Sequence, residues 1–359
     1  MTHRRRAARG RIESLDRQTG IEYLGVVIVG LLAVVMIAFV LLEWLQAYPV
    51  AGPLFEQFMV VGAWMDYLLG TAIFQYAFYW RTIATGVLIG IVAPLVGAFI
   101  VHREMALIGE TLAHTAFAGI AFGLVAIGLA DSLLGTTSVL DADLLLLFAL
   151  VAGVCGSLGV KWLTERTSTY GDVPIAIMLV GSFAVGTLFV SWARSLGTAS
   201  VSIEELLMGS ITVVPAADAR LMAALSVFVV AAVATAYKPL VFITFDEEAA
   251  RVAQLPVDRY NTLLVVLTAV VVVGSLRVLG VILVAGMLVI PVAAASQLAV
   301  GFRETVVLSV LFGQASVLGG LALAFGADLP AGGSIIVFAI VVYLAAIAVS
   351  NRTTALSTR

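Results

Sequence analysis

Glu110 and His114 stand four residues apart in "HREMALIGETLAHTAFAGIAFG", residues 102–123, a stretch that is otherwise mostly apolar or small. At that spacing a carboxylate and an imidazole share one face of a helix. They can present an oxygen and a nitrogen ligand to one small volume, a set suited to zinc and acceptable to manganese. An ionisable residue inside an apolar helix is costly and characteristically faces a cavity or a partner. At ~1.5 Å per residue, His114 falls about 14 Å in from Met105, a depth that suits an ion pathway. The competing reading is structural: Glu110 pairs with Arg103 or a backbone group, and His114 donates one hydrogen bond to a neighbouring helix. Glu204 and Glu205, in "SIEELLMG", are further candidates, for ion capture at an outer mouth or for docking a binding protein, against a plain solvated face. Asp66, with Asp131, Asp141 and Asp143, forms an outer acidic rim that could attract cations without coordinating them.

Other chemistry is missing. There is no HExxH and no GxSxG, and with only His3, His102 and His114 no closed three-histidine metal centre forms. Neither GxxxxGKS nor GxxxxGKT occurs, so the chain holds no nucleotide through a P-loop of its own. The single cysteine, Cys155, forms no internal disulfide and identifies no compartment. A net charge of -3 does not suggest a nucleic-acid partner. These absences argue against an enzyme and leave a pump, a channel or a secondary transporter open.

The elements that must position these residues are membrane helices. The chain is 62% hydrophobic and 11% charged over 359 residues, against roughly 25% charged in a soluble protein. Apolar runs long enough to cross a bilayer, about 20 residues each, lie near 21–45, 79–101, 105–129, 143–163, 173–195, 216–237, 259–277, 279–299, 303–326 and 332–350. The runs at 259–277 and 279–299 are separated only by "RVLG" and could be one broken or re-entrant element, since Gly280, Gly286 and Pro291 weaken a straight helix. The first run has no cleavage pattern after it and is expected to be retained. The basic cluster before it, "RRRAARGR", reads as a topology signal or a contact with anionic lipid. With the N-terminus inside, only Arg81, Arg194, Arg220 and Arg277 of the 19 lysines and arginines fall outside, as the positive-inside rule requires. Residues 46–78 are apolar but interrupted by Glu56 and Asp66, so an external interfacial or re-entrant segment fits them, with Tyr76, Phe78, Tyr79 and Trp80 in an aromatic belt.

One polar loop stands out on the inner side. In "FDEEAARVAQLPVDRY", residues 245–260, Asp246 can cap a short helix, Glu247 and Glu248 suit its first turn, and Pro256 stops it. Ala249, Ala250 and Ala253 leave a shallow face of the kind a groove on another protein could receive.

Four stretches in order carry a resemblance: "HREMALIGETLAHTAFAGIAFGL", "IEELLMGSITVV", "FDEEAARVAQLPV", and "SLRVLGVILVAGMLVIPVAAASQLA" followed by "DLPAGGSIIV". Together they resemble the zinc/manganese/iron class of ABC-importer membrane permeases, and most closely the permease of high-affinity zinc uptake systems. The resemblance implies an all-α, polytopic helical bundle of nine to ten transmembrane helices, a type II-like ABC importer permease in the cell membrane with both termini cytoplasmic. It implies a basic tail over 1–20, an added helix over 21–45, the external segment over 46–78, a permease core over 79–350 with a coupling helix at 246–256, and a tail over 351–359. Asp246, Glu247, Glu248, Ala249, Ala250, Arg251, Ala253 and Leu255 would dock the ATPase. The implied partners are two ABC ATPase subunits carrying the ATP, an extracytoplasmic metal-binding protein and a second copy of this chain. The implied cargo is Zn2+, with manganese or iron as alternatives. Glu110 stands where the family usually has Asp, Leu255 replaces its usual glycine, and the first 70 or so residues are an addition. A secondary transporter driven by an ion gradient would instead show an internal inverted repeat, which is not evident. A permease for corrinoid or iron-chelate cargo would have little use for an acid–histidine pair.

Overall fold

The computed structural model describes residues 2–134, 142–166, 173–197, 214–327 and 329–357. Eleven helices follow one another among them: α1 Thr2–Trp44, α2 Ala51–Leu69, α3 Ala77–His102, α4 Ile108–Leu134, α5 Ala142–Arg166, α6 Val173–Ser195, α7 Ala216–Phe245, α8 Glu247–Val252, α9 Val257–Ser296, α10 Phe302–Ala327 and α11 Ala331–Ser357. Nine segments within them are long and apolar enough to cross a membrane. The N-terminal basic segment and the first apolar run lie in one helix.

α3 is the axis of the bundle. Nearly every residue from Thr82 to Ile100 is buried, because α1, α7, α9 and α10 all pack around it. Pro94 lies inside α3 and cannot donate to the carbonyl of Gly90. Gly313 of α10 sits against both, and a Cβ there would fall 2.5 Å from the Gly90 oxygen and 2.7 Å from the Pro94 ring. Gln314 then ties the two helices by donating from Nε2 to the Val87 carbonyl at 2.7 Å.

α9 is two arms, not one span. Gly280 has φ 73 and ψ 167, a conformation open essentially to glycine. Ser275 in the first arm lies beside Met222, near the start of α7. Leu288 in the second arm lies against Gly97, near the end of α3, and Gly109, at the start of α4. The chain therefore turns back at Gly280, and the second arm, Leu283–Ser296, is shorter than the other spans. The break falls within "RVLG", the short stretch between the two apolar runs at 259–277 and 279–299.

The two ends of the bundle differ. At one end, α8 and the α3–α4 turn sit with Arg103, Arg251 and Arg259. At the other, α2 covers the tops of α1 and α3 through a cluster of Phe39, Phe58 and Trp80, with ring centroids 4.9 to 6.0 Å apart. α2 is not among the helices long and apolar enough to cross a membrane.

Candidate functional site

α4 is held between α5 and α6. The Thr111 hydroxyl donates to the carbonyls of Leu107, at 3.0 Å, and of Ile175 in α6, at 3.3 Å. Gly156 of α5 admits Thr115, and Gly186 of α6 admits Phe117. One stripe of α4 is left uncovered at i, i+4 intervals: Glu110, His114, Ala118 and Phe122 are exposed or half-buried while their neighbours are buried.

The pair expected to do chemistry lies on that stripe. His114 Nε2 is 3.9 Å from Glu110 Oε1, with side-chain exposures of 14% and 48%. His114 Nδ1 is buried without a hydrogen-bond partner, and the ring meets Phe183 of α6 edge-on at 5.0 Å. Arg103 donates to Thr244 at 3.1 Å and Asn261 at 2.7 Å and not to Glu110. One expectation needs correction. Residues 103–107 form a turn, with Glu104 at φ 58, so α4 begins only at Ile108. His114 therefore lies about 9 Å inside α4, in the third of the helix nearest the Arg103 end. Glu110 falls in the first turn, where the helix dipole favours a carboxylate. Among the described residues, no group of three or more histidine, cysteine or acidic side chains comes together. Glu110 and His114 are thus two candidate ligands, half of a four-ligand set.

Asp66 has another task. Its Oδ1 accepts from the Thr71 hydroxyl at 2.7 Å and from the amides of Ile73 and Phe74 at 2.9 and 3.0 Å. Its Oδ2 accepts from Gln75 at 2.7 Å. Burial works to raise its pKa, but the Phe74, Thr71, Ile73 and Gln75 donors outweigh it and hold the carboxyl down at about 2. Four donors leave it little to offer a cation, so the outer-mouth role expected for Asp66 does not fit; it locks the turn between α2 and α3. Glu204, Glu205 and Asp141 lie outside the described residues.

The short polar helix forms as expected and ends sooner. Asp246 Oδ1 caps it by accepting from Ala249 N at 2.8 Å. Arg251 pairs with Glu247 at 2.8 Å and reaches Asp258 at 3.6 Å. The helix stops at Val252, four residues before Pro256, because Gln254 adopts a left-handed φ of 60 and Leu255 N returns to the Ala250 carbonyl at 3.1 Å. Ala250 is buried against Ile243 and Val257, so it anchors the helix and does not belong to its exposed face. Val252, the last residue of α8, is 85% exposed, and Phe245, the last residue of α7, is 61% exposed on the other side of Asp246. The sequence reading missed both, although two apolar residues flanking an acidic helix were a visible signal. Arg103 was also underread. Its bonds to Thr244 and Asn261 join α3 to the two helices that flank α8, and its Nη2 is left without a partner. Burial lowers the Arg103 pKa while Glu247 of α8 raises it.

Comparison with known proteins places this arrangement. Residues 75–350 match the model of the ABC 3 transport family. The chain is 27% identical over 272 residues to the manganese transport system membrane protein MntC of Listeria monocytogenes, covering 76% of this chain and 90% of that one. It is 30% identical over 277 residues to a probable metal transport system membrane protein of Treponema pallidum, covering 77% and 97%. Among solved structures, PsaBC from Streptococcus pneumoniae in complex with Fab superposes with a TM-score of 0.63 at 26% identity, covering 76% of this chain and 91% of that one. With an all-helical membrane bundle and the family match spanning three quarters of its length, the chain belongs to the ABC 3 transport family, as a non-enzymatic membrane permease of the metal-importer class.

Proposed function

We propose that this chain imports manganese, that Glu110 and His114 line the ion path, and that a second copy supplies the other half of the ligand set. The observation that carries this reading is the open stripe of α4. A half-exposed carboxylate beside an imidazole with an unpartnered buried nitrogen would be costly against lipid. Covering the stripe with its own copy about a two-fold axis removes that cost and brings two carboxylates and two imidazoles together. The carboxylates suit manganese and the imidazoles are acceptable to it, and several relatives carry manganese transport in their names. These names shift the expected cargo from zinc to manganese. Zinc is the second reading, because it accepts the same donors.

The remaining parts follow from the same class of machine. α8, with Phe245 and Val252, would seat in a groove of each of two ATPase subunits, and ATP would be hydrolysed there. Movement of α8 would reach α4 through Arg103, which precedes the α3–α4 turn. The Arg103 end would then be cytoplasmic, and an extracytoplasmic metal-binding protein would deliver the ion to the α2 end.

The test is ATP-driven uptake of Mn2+ and Zn2+ into proteoliposomes holding the permease, its ATPase and its binding protein. Manganese accumulation that disappears in Glu110→Gln and in His114→Ala, with complex assembly intact, is expected. Undiminished uptake by both variants would remove the pair from the path, and uptake of zinc alone would overturn the cargo.

A further inference from the structure

The first helix leaves an unfilled crevice along the bundle. One cavity of about 550 Å³ lies between α1, at Gly25, Val29 and Gly30, and α7, at Ala231 and Ala234. A second, of about 700 Å³, continues toward Trp44. Ile37 and Val227 line both, so they form a single crevice along α1 and α7. At each end an arginine of the core lies over an aromatic ring of α1. Arg303 sits 5.7 Å from the Tyr23 ring and Arg220 sits 5.9 Å from the Trp44 ring. Lys238, exposed and one turn beyond Ala234, adds charge at the Arg303 end. α1 also touches the core directly, at Gly25 against Leu311 and near its C-terminus, where Arg81 donates to Glu43 at 2.7 Å and Phe39 packs on Trp80.

Water is a poor occupant. The one hydroxyl lining the first cavity, on Ser226, is already donated to the Met222 carbonyl at 2.7 Å, and ordered water needs several polar partners. A second copy of the chain is not the occupant either, if the pairing face is α4, since a closed two-fold dimer uses one patch. An apolar slot at hydrocarbon depth with a cation at each mouth matches an acyl chain joined to a phosphate.

We propose that phospholipids occupy this crevice, one from each leaflet, with acyl chains between α1 and α7 and phosphates against Arg303 at one end and Arg220 at the other. The helix that precedes the family core is then held to it in part through lipid, which covers Val26 and Leu41, crevice residues that are 52% and 45% exposed.

The test is retained phospholipid per chain, read by native mass spectrometry and phosphorus assay after extensive detergent washing of the full-length protein. Gly30→Leu with Ala231→Leu fills the slot, since a Cβ at Gly30 meets nothing within 4 Å. Arg220→Gln and Arg303→Gln remove the charges and leave the slot unchanged. Wild type should retain phospholipid, the filled variant should lose it, and each glutamine variant should retain about fivefold less of the lipid at its own end, the factor that corresponds to ~1 kcal/mol per basic side chain near a charged lipid surface, so that the Arg220→Gln, Arg303→Gln double variant loses about fivefold in total. Arg220→Lys and Arg303→Lys should restore retention. Equal phospholipid on wild type and the filled variant would overturn the proposal, as would a stoichiometric polypeptide in place of lipid. Unchanged retention in both glutamine variants would overturn the headgroup assignment.

Discussion

At the scale of single residues, two carboxylates in similar apolar surroundings have opposite fates. Asp66 is saturated by four donors and fastens a turn. Glu110 meets only His114 among the described residues, at 3.9 Å. Removing Asp66 should therefore lower stability, and removing Glu110 should not. Because the Asp66 pKa is depressed to about 2 from 3.8, its contribution is present above the unfolded value and lost as pH falls through the folded one. The melting temperature of wild type in detergent should fall more steeply than that of Asp66→Asn between about pH 4 and pH 2. Parallel curves would contradict the clamp. Glu110→Gln should change unfolding free energy by no more than about 0.5 kcal/mol, as exposed substitutions do, while metal uptake is lost; a large loss of stability would make it a structural residue. The Glu110–His114 pairing was legible because i, i+4 spacing fixes a shared helix face. The role of Asp66 was not, because its partners are backbone amides seven to nine residues on, in a turn with no sequence signature.

At the scale of elements, glycines decide where helices can meet and turn. A Cβ at Gly97 would collide with the Leu288 backbone, so Gly97→Val should cost at least the 1–3 kcal/mol typical of overpacking, seen as a lower melting temperature. Gly280→Ala forces a side chain into a positive φ and should cost about 1–2 kcal/mol; a neutral result would mean that the two arms of α9 join in another way. The hydropathy pattern marked both arms and "RVLG" marked the break between them. The length of α8 was hidden, since Gln254 takes a left-handed φ usually left to glycine or asparagine. Ala250 is packed into the core side of α8, so Ala250→Leu should loosen the helix and weaken ATPase docking. Val252→Asp should weaken docking with no effect on the melting temperature of the permease alone. Docking unaffected by Val252→Asp would take the exposed face out of the interface.

At the scale of the whole molecule, the span count, the apolar core and the placement of basic residues at one end were written in composition and period. What covers the α4 stripe was not, because that belongs to association and a single chain's sequence carries no register for its own copy. If the stripe is the two-fold contact, Ala118→Cys in a Cys155→Ser background should oxidise to a covalent dimer in the membrane, and Val34→Cys on α1 should not. The central claim, that Glu110 and His114 ligate the cargo, is tested most directly by electron spin echo spectroscopy of Mn2+ bound to the reconstituted permease and ATPase without the binding protein. Bound manganese should show nitrogen modulation from imidazole at one ion per two chains, and His114→Ala should abolish that modulation. Nitrogen modulation that persists in His114→Ala would contradict the account.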